Sequence, residues 1–355
     1  MNHIEKIAAQ LPEYGLGAML ITSESGERYA LGFHGEGLLL VTRDGARYST
    51  DGRYIEAARE QVAAGAEVVP ATPDKGHMAF AKEYIEARKL HNIGFESGAM
   101  TVDSHRKYEQ ELPGILTPAQ KLLDDLRASK DEGELVLMRR AQAITDEAFK
   151  AILNFIRPGM TEREIAARLV YELMSRGGEK VSFDPIVAAG PNGSRPHAVP
   201  GDQVVDAGMF ITMDFGCKVE GYCSDMTRTV ALGHPTEEME AVYAAVLAAQ
   251  KAGINAARAG VTGQEIDAAA RRVLQEAGYG EYFSHSFGHS LGVDIHESPN
   301  ASSKETRPMP VGAVISAEPG VYIPGKFGVR IEDVLILNET GCENITRSPK
   351  DLIVL

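Results

Sequence analysis

Cysteine is scarce. Cys217, Cys223 and Cys342 are the only three in 355 residues, and no CxxC pair occurs. An odd, sparse set argues against a disulfide framework and suits small strand residues in a reducing cytosol. No run of about 18 apolar residues exists, so no membrane span is expected. Positive charge is in deficit: 36 Lys and Arg stand against 50 Asp and Glu, a net charge of −14. That balance argues against a nucleic-acid surface, because phosphate binding needs a basic face. Low-complexity tracts, a phosphate loop and a dinucleotide fingerprint are absent too. The first eleven residues read as an amphipathic helix (Ile4, Ile7, Ala8, Leu11) rather than a secretion signal. The expectation is a cytoplasmic protein.

What remains is an ordinary globular composition, 44% apolar and 24% charged, with enough chain for two domains. Residues 17–22 (GAMLIT) and 37–42 (GLLLVT) are compact apolar runs that suit strands. Residues 53–64 and 78–88 read as helices, and 67–70 and 92–95 as further short strands. This predicts a small α/β domain over residues 1–125. The charged stretch 122–130 (LLDDLRASK) marks the boundary to a second domain, 126–355. That domain opens on a long helix near 134–156, with Leu135, Met138, Ala141, Ile144, Phe149 and Ile152 at helical spacing.

The second domain repeats itself. Residues 157–165 (RPGMTEREI) align without gaps with 258–266 (RAGVTGQEI), 101 positions later. At the same offset Leu173 meets Leu274 and Gly177 meets Gly278. Each copy carries a capping box, Thr161 with Glu164 and Thr262 with Glu265, then a helix that ends at a glycine. Two similar halves related by a pseudo-twofold axis are expected, with a site in the cleft between them.

Two segments rich in β-formers, 211–216 (ITMDFG) and 222–230 (YCSDMTRTV), flank a turn at 218–221. A hairpin centred between Val219 and Glu220 sets Asp214 directly across from Asp225, Cβ atoms about 5 Å apart. Two carboxylates that close repel unless cations sit between them. Downstream, His285, His289 and His296 fall within twelve positions. Glu318 (AEPG) and Glu332 (VRIED) sit at the edges of apolar runs, where a carboxylate is costly unless paired or metal-bound. Each glutamate alone would be read as a salt-bridge partner, for instance with Arg330. Together, four carboxylates and an imidazole suit two hard or borderline divalent ions, an arrangement known for hydrolysis.

These motifs resemble the pita-bread metallopeptidases, specifically the aminopeptidase P and prolidase branch, over the whole chain. The resemblance implies a creatinase-like N-terminal α/β domain followed by a pita-bread catalytic domain, an α/β (α+β) fold. Asp214, Asp225, His289 (GHSLG), Glu318 (EPG) and Glu332 (RIED) match the five ligands of two divalent metals. Mn(II) or Co(II) is favoured, with Zn(II) or Fe(II) as further options. His197 in RPHAVP matches a histidine near the leaving proline. His285 and His296 match histidines that bind substrate and stabilise the tetrahedral intermediate. Arg330 matches an arginine that orients an outer-shell carboxylate, and Glu318 doubles as general base. The implied activity is hydrolysis of the Xaa-Pro bond at a peptide N-terminus, with strict Xaa-Pro dipeptidase as the alternative. A non-catalytic binding protein on the same fold is the remote one, because no ligand is missing. Creatinase lacks the metal set, and methionine aminopeptidases generally lack the first domain. Arg195 departs from the small residue common before Pro-His. The expected partners are peptides with proline second. A homodimer is implied, with residues 50–54 (TDGRY) as a candidate cross-subunit contact.

Overall fold

The structure, a computed structural model, describes residues 1–355. The chain divides into two compact units, Met1–Leu126 and Arg127–Leu355. In the first, the run at 17–22 forms strand Ala18–Ile21, buried at every position. It lies inside a six-stranded sheet ordered Ala66–Pro70, Gly45–Thr50, Leu38–Thr42, Ala18–Ile21, Asn92–Phe95, Ile115–Pro118. A strand covered on both faces reads as a continuous apolar run, which is why this one and Leu38–Thr42 are legible. Helix His77–Arg88 closes one face, its Ala81, Tyr84 and Ile85 packing with Leu20, Leu40 and Ile93. Strands Gly45–Thr50 and Ile115–Pro118 escape a pattern reading, the first because it is polar and the second because it is short. Residues 51–54 make an exposed turn ahead of helix Ile55–Gln61, where Arg53 pairs with Asp51 and Glu36 at 2.7 Å each.

The second unit begins with helix Glu132–Leu153, capped by Asp131 and Glu134. The sequence repeat becomes two helices of equal length at the same offset, Glu162–Ser175 and Gly263–Glu276. Thr161 and Thr262 cap them through matching boxes. The Thr hydroxyl accepts the Glu N–H at 3.2 Å in both, and the Glu carboxylate accepts the Thr N–H at 2.7 and 2.9 Å. The chain before each helix repeats as well: Gly159 N–H donates to Val205 O at 3.0 Å and Gly260 N–H to Met309 O at 2.8 Å. Each helix lies beside a longer one, Glu132–Leu153 in one half and Glu237–Ala256 in the other. Each half has its own apolar core. One gathers Phe149, Ile165, Leu169, Ile211 and Met213; the other gathers Val246, Ile266, Leu274, Ile315 and Leu335. Full burial of such a side chain contributes about 1.5–3 kcal/mol relative to exposure.

The first half's sheet is Ile186–Ala189, Met209–Phe215 and Met226–Leu232. The second's runs Glu297–Ala301, Gly288–Ser290, Val314–Ala317, Asp333–Leu337, Cys342–Asn344. This is the two-half α/β arrangement with internal pseudo-symmetry that the sequence predicts. The hairpin register differs from expectation. Asp214 faces Thr227 rather than Asp225, and Val219 pairs with Tyr222. The turn is centred one residue later, on Glu220 and Gly221, with φ of +48° and +85°. Two successive left-handed residues make the tight hairpin turn whose twist fits the strands, and glycine adopts one of them without strain. Moving the centre by one shifts every partner by two. Side chains alternate with period two, so both aspartates keep the same face as diagonal neighbours.

Cys217 and Cys223 are buried, and all three thiols are free. No helix is long and apolar enough to cross a membrane.

Candidate metal centre

Asp214 projects from strand Met209–Phe215 and Asp225 from the residue before Met226–Leu232. His289 is the middle residue of Gly288–Ser290. Glu318 follows Val314–Ala317, and Glu332 lies between Phe327–Arg330 and Asp333–Leu337. The ends of strands from both halves therefore meet at one place. Donor atoms of Asp225, His289 and Glu332 lie within 4.8 Å of one another. His289 Nε2 is 3.5 Å from Asp225 Oδ2 and 3.4 Å from Glu318 Oε1. His289 Nδ1 lies 3.2 Å from the Ser290 carbonyl. A carbonyl only accepts, so Nδ1 donates to it, and Nε2 is the nitrogen that faces the carboxylates.

Asp214 joins the cluster through Arg330, whose Nη2 donates to Asp214 Oδ2 at 2.6 Å. The buried guanidinium also donates from Nε to Thr227 Oγ1 at 2.9 Å and from Nη1 to Tyr322 Oη at 2.8 Å and Pro196 O at 3.3 Å. Thr227 in turn donates to Glu332 Oε2 at 2.7 Å. Arg330 thus orients Asp214 itself, a member of the cluster, where an outer-shell partner was expected.

Three buried carboxylate oxygens have no hydrogen-bond partner: Asp214 Oδ1, Asp225 Oδ1 and Glu332 Oε1. Burial pushes the Asp225 carboxyl far above its ordinary range, and the neighbouring Asp214 and Glu318 charges push it further. Burial and then Asp225 do the same to Glu332. Burial raises Asp214 too, against the pull of Arg330. Unpartnered oxygens and mutual repulsion in one pocket are what divalent cations would relieve, so the donor set fits such ions.

The cluster floors a cavity of about 510 Å³. The rest of its lining is largely apolar, with Phe183, Ile186, Pro196, Val199, Pro200 and Ile295. His197 and His296 also line it and are exposed. His296 sets its ring across that of His289, centroids 4.4 Å apart and planes at 73°. His285 is committed at both nitrogens, Nδ1 to Ser286 O at 2.8 Å and Nε2 to Tyr322 Oη at 2.9 Å. Burial lowers its pKa and keeps it neutral. Arg195, beside this wall, is exposed.

The sequence of this second unit matches the description "Metallopeptidase family M24" over residues 136–339, and residues 3–129 match "Creatinase/Prolidase N-terminal domain". The chain belongs to metallopeptidase family M24. It is 38% identical to the uncharacterized peptidase YqhT of Bacillus subtilis, over 99% of both chains. A solved Xaa-Pro dipeptidase from Bacillus anthracis superposes with a TM-score of 0.95 at 38% identity, covering 99% of each chain. An X-Pro aminopeptidase from Thermotoga maritima gives 0.90 at 35% identity, covering 96% of this chain and 98% of that one. As an M24 member the chain is a metallopeptidase, a hydrolytic enzyme with a creatinase-like first domain.

Three residues of this M24 site are invisible to motif reading. Tyr322, four after Glu318, links Arg330 to His285. Thr227, two after Asp225 and so on the same strand face, links Arg330 to Glu332. Both were readable only as strand alternation. Asp184 lines the cavity mouth in an exposed position, and no local signal marks it.

Proposed function

We propose that the protein hydrolyses the bond between an N-terminal residue and a following proline, as a dinuclear-metal-dependent Xaa-Pro aminopeptidase. The observation that carries this is the set of three unpartnered, buried carboxylate oxygens in an open cavity whose remaining lining is largely apolar. Asp214, Asp225, His289, Glu318 and Glu332 would hold two ions, Mn(II) or Co(II) before Zn(II) or Fe(II). When bound, such ions supply a water acidic enough to be a nucleophile near neutral pH and a positive charge that polarises the substrate carbonyl.

The chain's own residues do the rest. Glu318, oriented by the Ser316 hydroxyl at 3.1 Å, takes the proton from the attacking water. His285 is occupied at both nitrogens, so the hydrogen bond to the developing oxyanion falls to His296. Arg330 holds Asp214 in one rotamer and, through Thr227, Glu332 in another. The prolyl ring meets the apolar wall beside His197. Asp184, the lining carboxylate outside the five, receives the free α-ammonium and limits cleavage to one residue.

Peptide length follows from the wall's cations. Arg330 is buried and saturated by Asp214, Thr227 and Tyr322. Among the lining residues a dipeptide carboxylate next to the prolyl ring would meet only histidines, and Arg195, exposed beside the wall, is the cation that a dipeptide would have to recruit. The dipeptidase reading rests on similarity to relatives such as the Xaa-Pro dipeptidase of Bacillus anthracis. The deciding assay compares Ala-Pro with Ala-Pro-Ala, with Mn(II) and after chelation. Cleavage of the tripeptide, lost on chelation, upholds the aminopeptidase. Cleavage of the dipeptide alone makes the protein a dipeptidase, and cleavage of neither refutes both.

A further inference from the structure

Outside the metal cluster, one carboxylate is fully buried in the first half of the second unit and touches none of the five donors. Glu162 is the first residue of helix Glu162–Ser175, just inside the Thr161 cap, with 0% of its surface exposed. A buried carboxylate is stable only where hydrogen-bond donors replace its water. Its donors all come from one stretch of chain. Oε1 accepts Ala189 N–H at 2.8 Å and the Asn192 amide at 3.1 Å. Oε2 accepts Gly201 N–H at 3.1 Å, with the same Asn192 amide at 3.3 Å. Glu162 thus holds the start, an early turn and the end of the segment 189–201. Between those anchors lie five consecutive cavity-lining residues, Pro196 to Pro200, including His197. His197 and Val199 are themselves exposed, so the cavity does not hold them in place. Their position depends on the base of the loop, where Glu162 is joined by the Arg163 N–H bond to Gly201 O and by the packing of Gly193 on Gly328, and on the Arg330 hydrogen bond to Pro196 O.

The internal repeat supplies an independent observation. Position 162 corresponds to 263 in the second copy, where glutamate is replaced by glycine. A Cβ at Gly263 would lie 2.1 Å from the Asn300 carbonyl oxygen. There the cavity-lining chain, Asn300, packs directly on the helix start, and a side chain has no room. In the first copy the lining chain also meets the helix start, Arg163 N–H donating to Gly201 O at 3.1 Å, but a side chain fits beside it, and the Glu162 carboxylate fills that place. The two halves share a helix, a cap and a backbone hydrogen bond from the second helical residue, and they differ at the first, where Glu162 binds the cavity-lining segment and Gly263 only makes room for it.

We propose that Glu162 is a positioning residue for substrate selection: by pinning segment 189–201 it sets the wall that recognises the prolyl ring. This rests on the Xaa-Pro reading above. Glu162 touches none of the metal donors, and its loop reaches Asp214 through Arg330 rather than directly, so ground-state fit should suffer more than the chemical step.

The test compares wild type with Glu162→Ala and with the isosteric Glu162→Gln, which keeps one acceptor oxygen and guards against a variant that fails to fold. Three quantities are read: bound metal, kcat and KM for Ala-Pro-Ala against Ala-Ala-Ala, and hydrogen exchange of segment 189–201 against residues 165–175 of the helix. Glu162→Ala should keep its metal, raise KM for the proline substrate about tenfold or more, and change kcat by less than about threefold. The Pro-over-Ala preference should shrink accordingly, with Glu162→Gln recovering part of it. Exchange in 189–201 should quicken about tenfold or more while the helix stays protected. Unchanged exchange in the loop overturns the proposal. So does a loosened loop with unaltered KM, and so does joint loss of metal, turnover and helix protection. If the wild type cleaves Ala-Ala-Ala but not Ala-Pro-Ala, the Xaa-Pro reading fails, and exchange alone decides the pinning.

Discussion

Glu297 offers the most quantitative test of the energetics of the site's surroundings. It follows His296 at the start of strand Glu297–Ala301, its side chain 4% exposed. Two cations from the segment before helix Glu132–Leu153 reach it: the Arg127 guanidinium hydrogen-bonds Oε1, and Lys130 Nζ lies 3.1 Å from Oε2. Asp294 N–H donates to Oε1 at 3.0 Å. Burial alone would raise this carboxyl. Lys130 and Arg127 outweigh it and hold the pKa down to about 2, from an ordinary 4.5. The difference is about 2.5 units, and at about 1.4 kcal/mol per unit the charged form contributes about 3 kcal/mol to folding. Because the folded pKa is depressed, that stability is fully present above pH 4.5 and is lost as the pH falls through 4.5 toward 2. Glu297→Gln should therefore cost about 3 kcal/mol at pH 7, and somewhat more if Arg127 and Lys130 are left buried without an anion. Urea unfolding of both proteins at pH 7, 4 and 2.5 measures it, and the wild-type-minus-variant difference cancels metal loss and other titrations common to the two. The gap should be widest at pH 7 and close toward pH 2.5. A gap below about 1 kcal/mol at pH 7, or one that ignores pH, would refute the reasoning.

The two capping boxes give a paired control. Thr161→Ala and Thr262→Ala remove hydroxyls that each accept a Glu N–H at 3.2 Å, so each should destabilise by about 1 kcal/mol in thermal unfolding. A loss confined to one of them would show that the halves are not energetically equivalent. For the metal centre, Asp225→Ala and Glu332→Ala should abolish turnover and lower bound metal after dialysis against Mn(II). Full metal content with retained turnover in either would count against the assignment.

Much of the fold is legible in the sequence because its signals are local. The fully buried strands Ala18–Ile21 and Leu38–Thr42 are uninterrupted apolar runs. The two capped helices are written in the ungapped repeat, and both appear with identical length and the same box. The five donor candidates are legible too, since carboxylates beside apolar strands are conspicuous. The hairpin register was misread by two residues because the Glu220–Gly221 turn is set by backbone φ, which a β-rich pattern does not display. The face survived that error, because alternation has period two.

What the sequence by itself determined is the inventory: which side chains alternate, which helices are capped, which residues bring charge or an imidazole. The tertiary structure alone decided how that inventory is shared. It gave both nitrogens of His285 to Ser286 and Tyr322, aimed Arg330 at Asp214, and set Glu162 under a loop some 27 to 39 positions away in the chain. The physical reason is that a hydrogen bond is satisfied by whatever donor or acceptor the packing brings within about 3 Å, and that proximity has no period in the sequence.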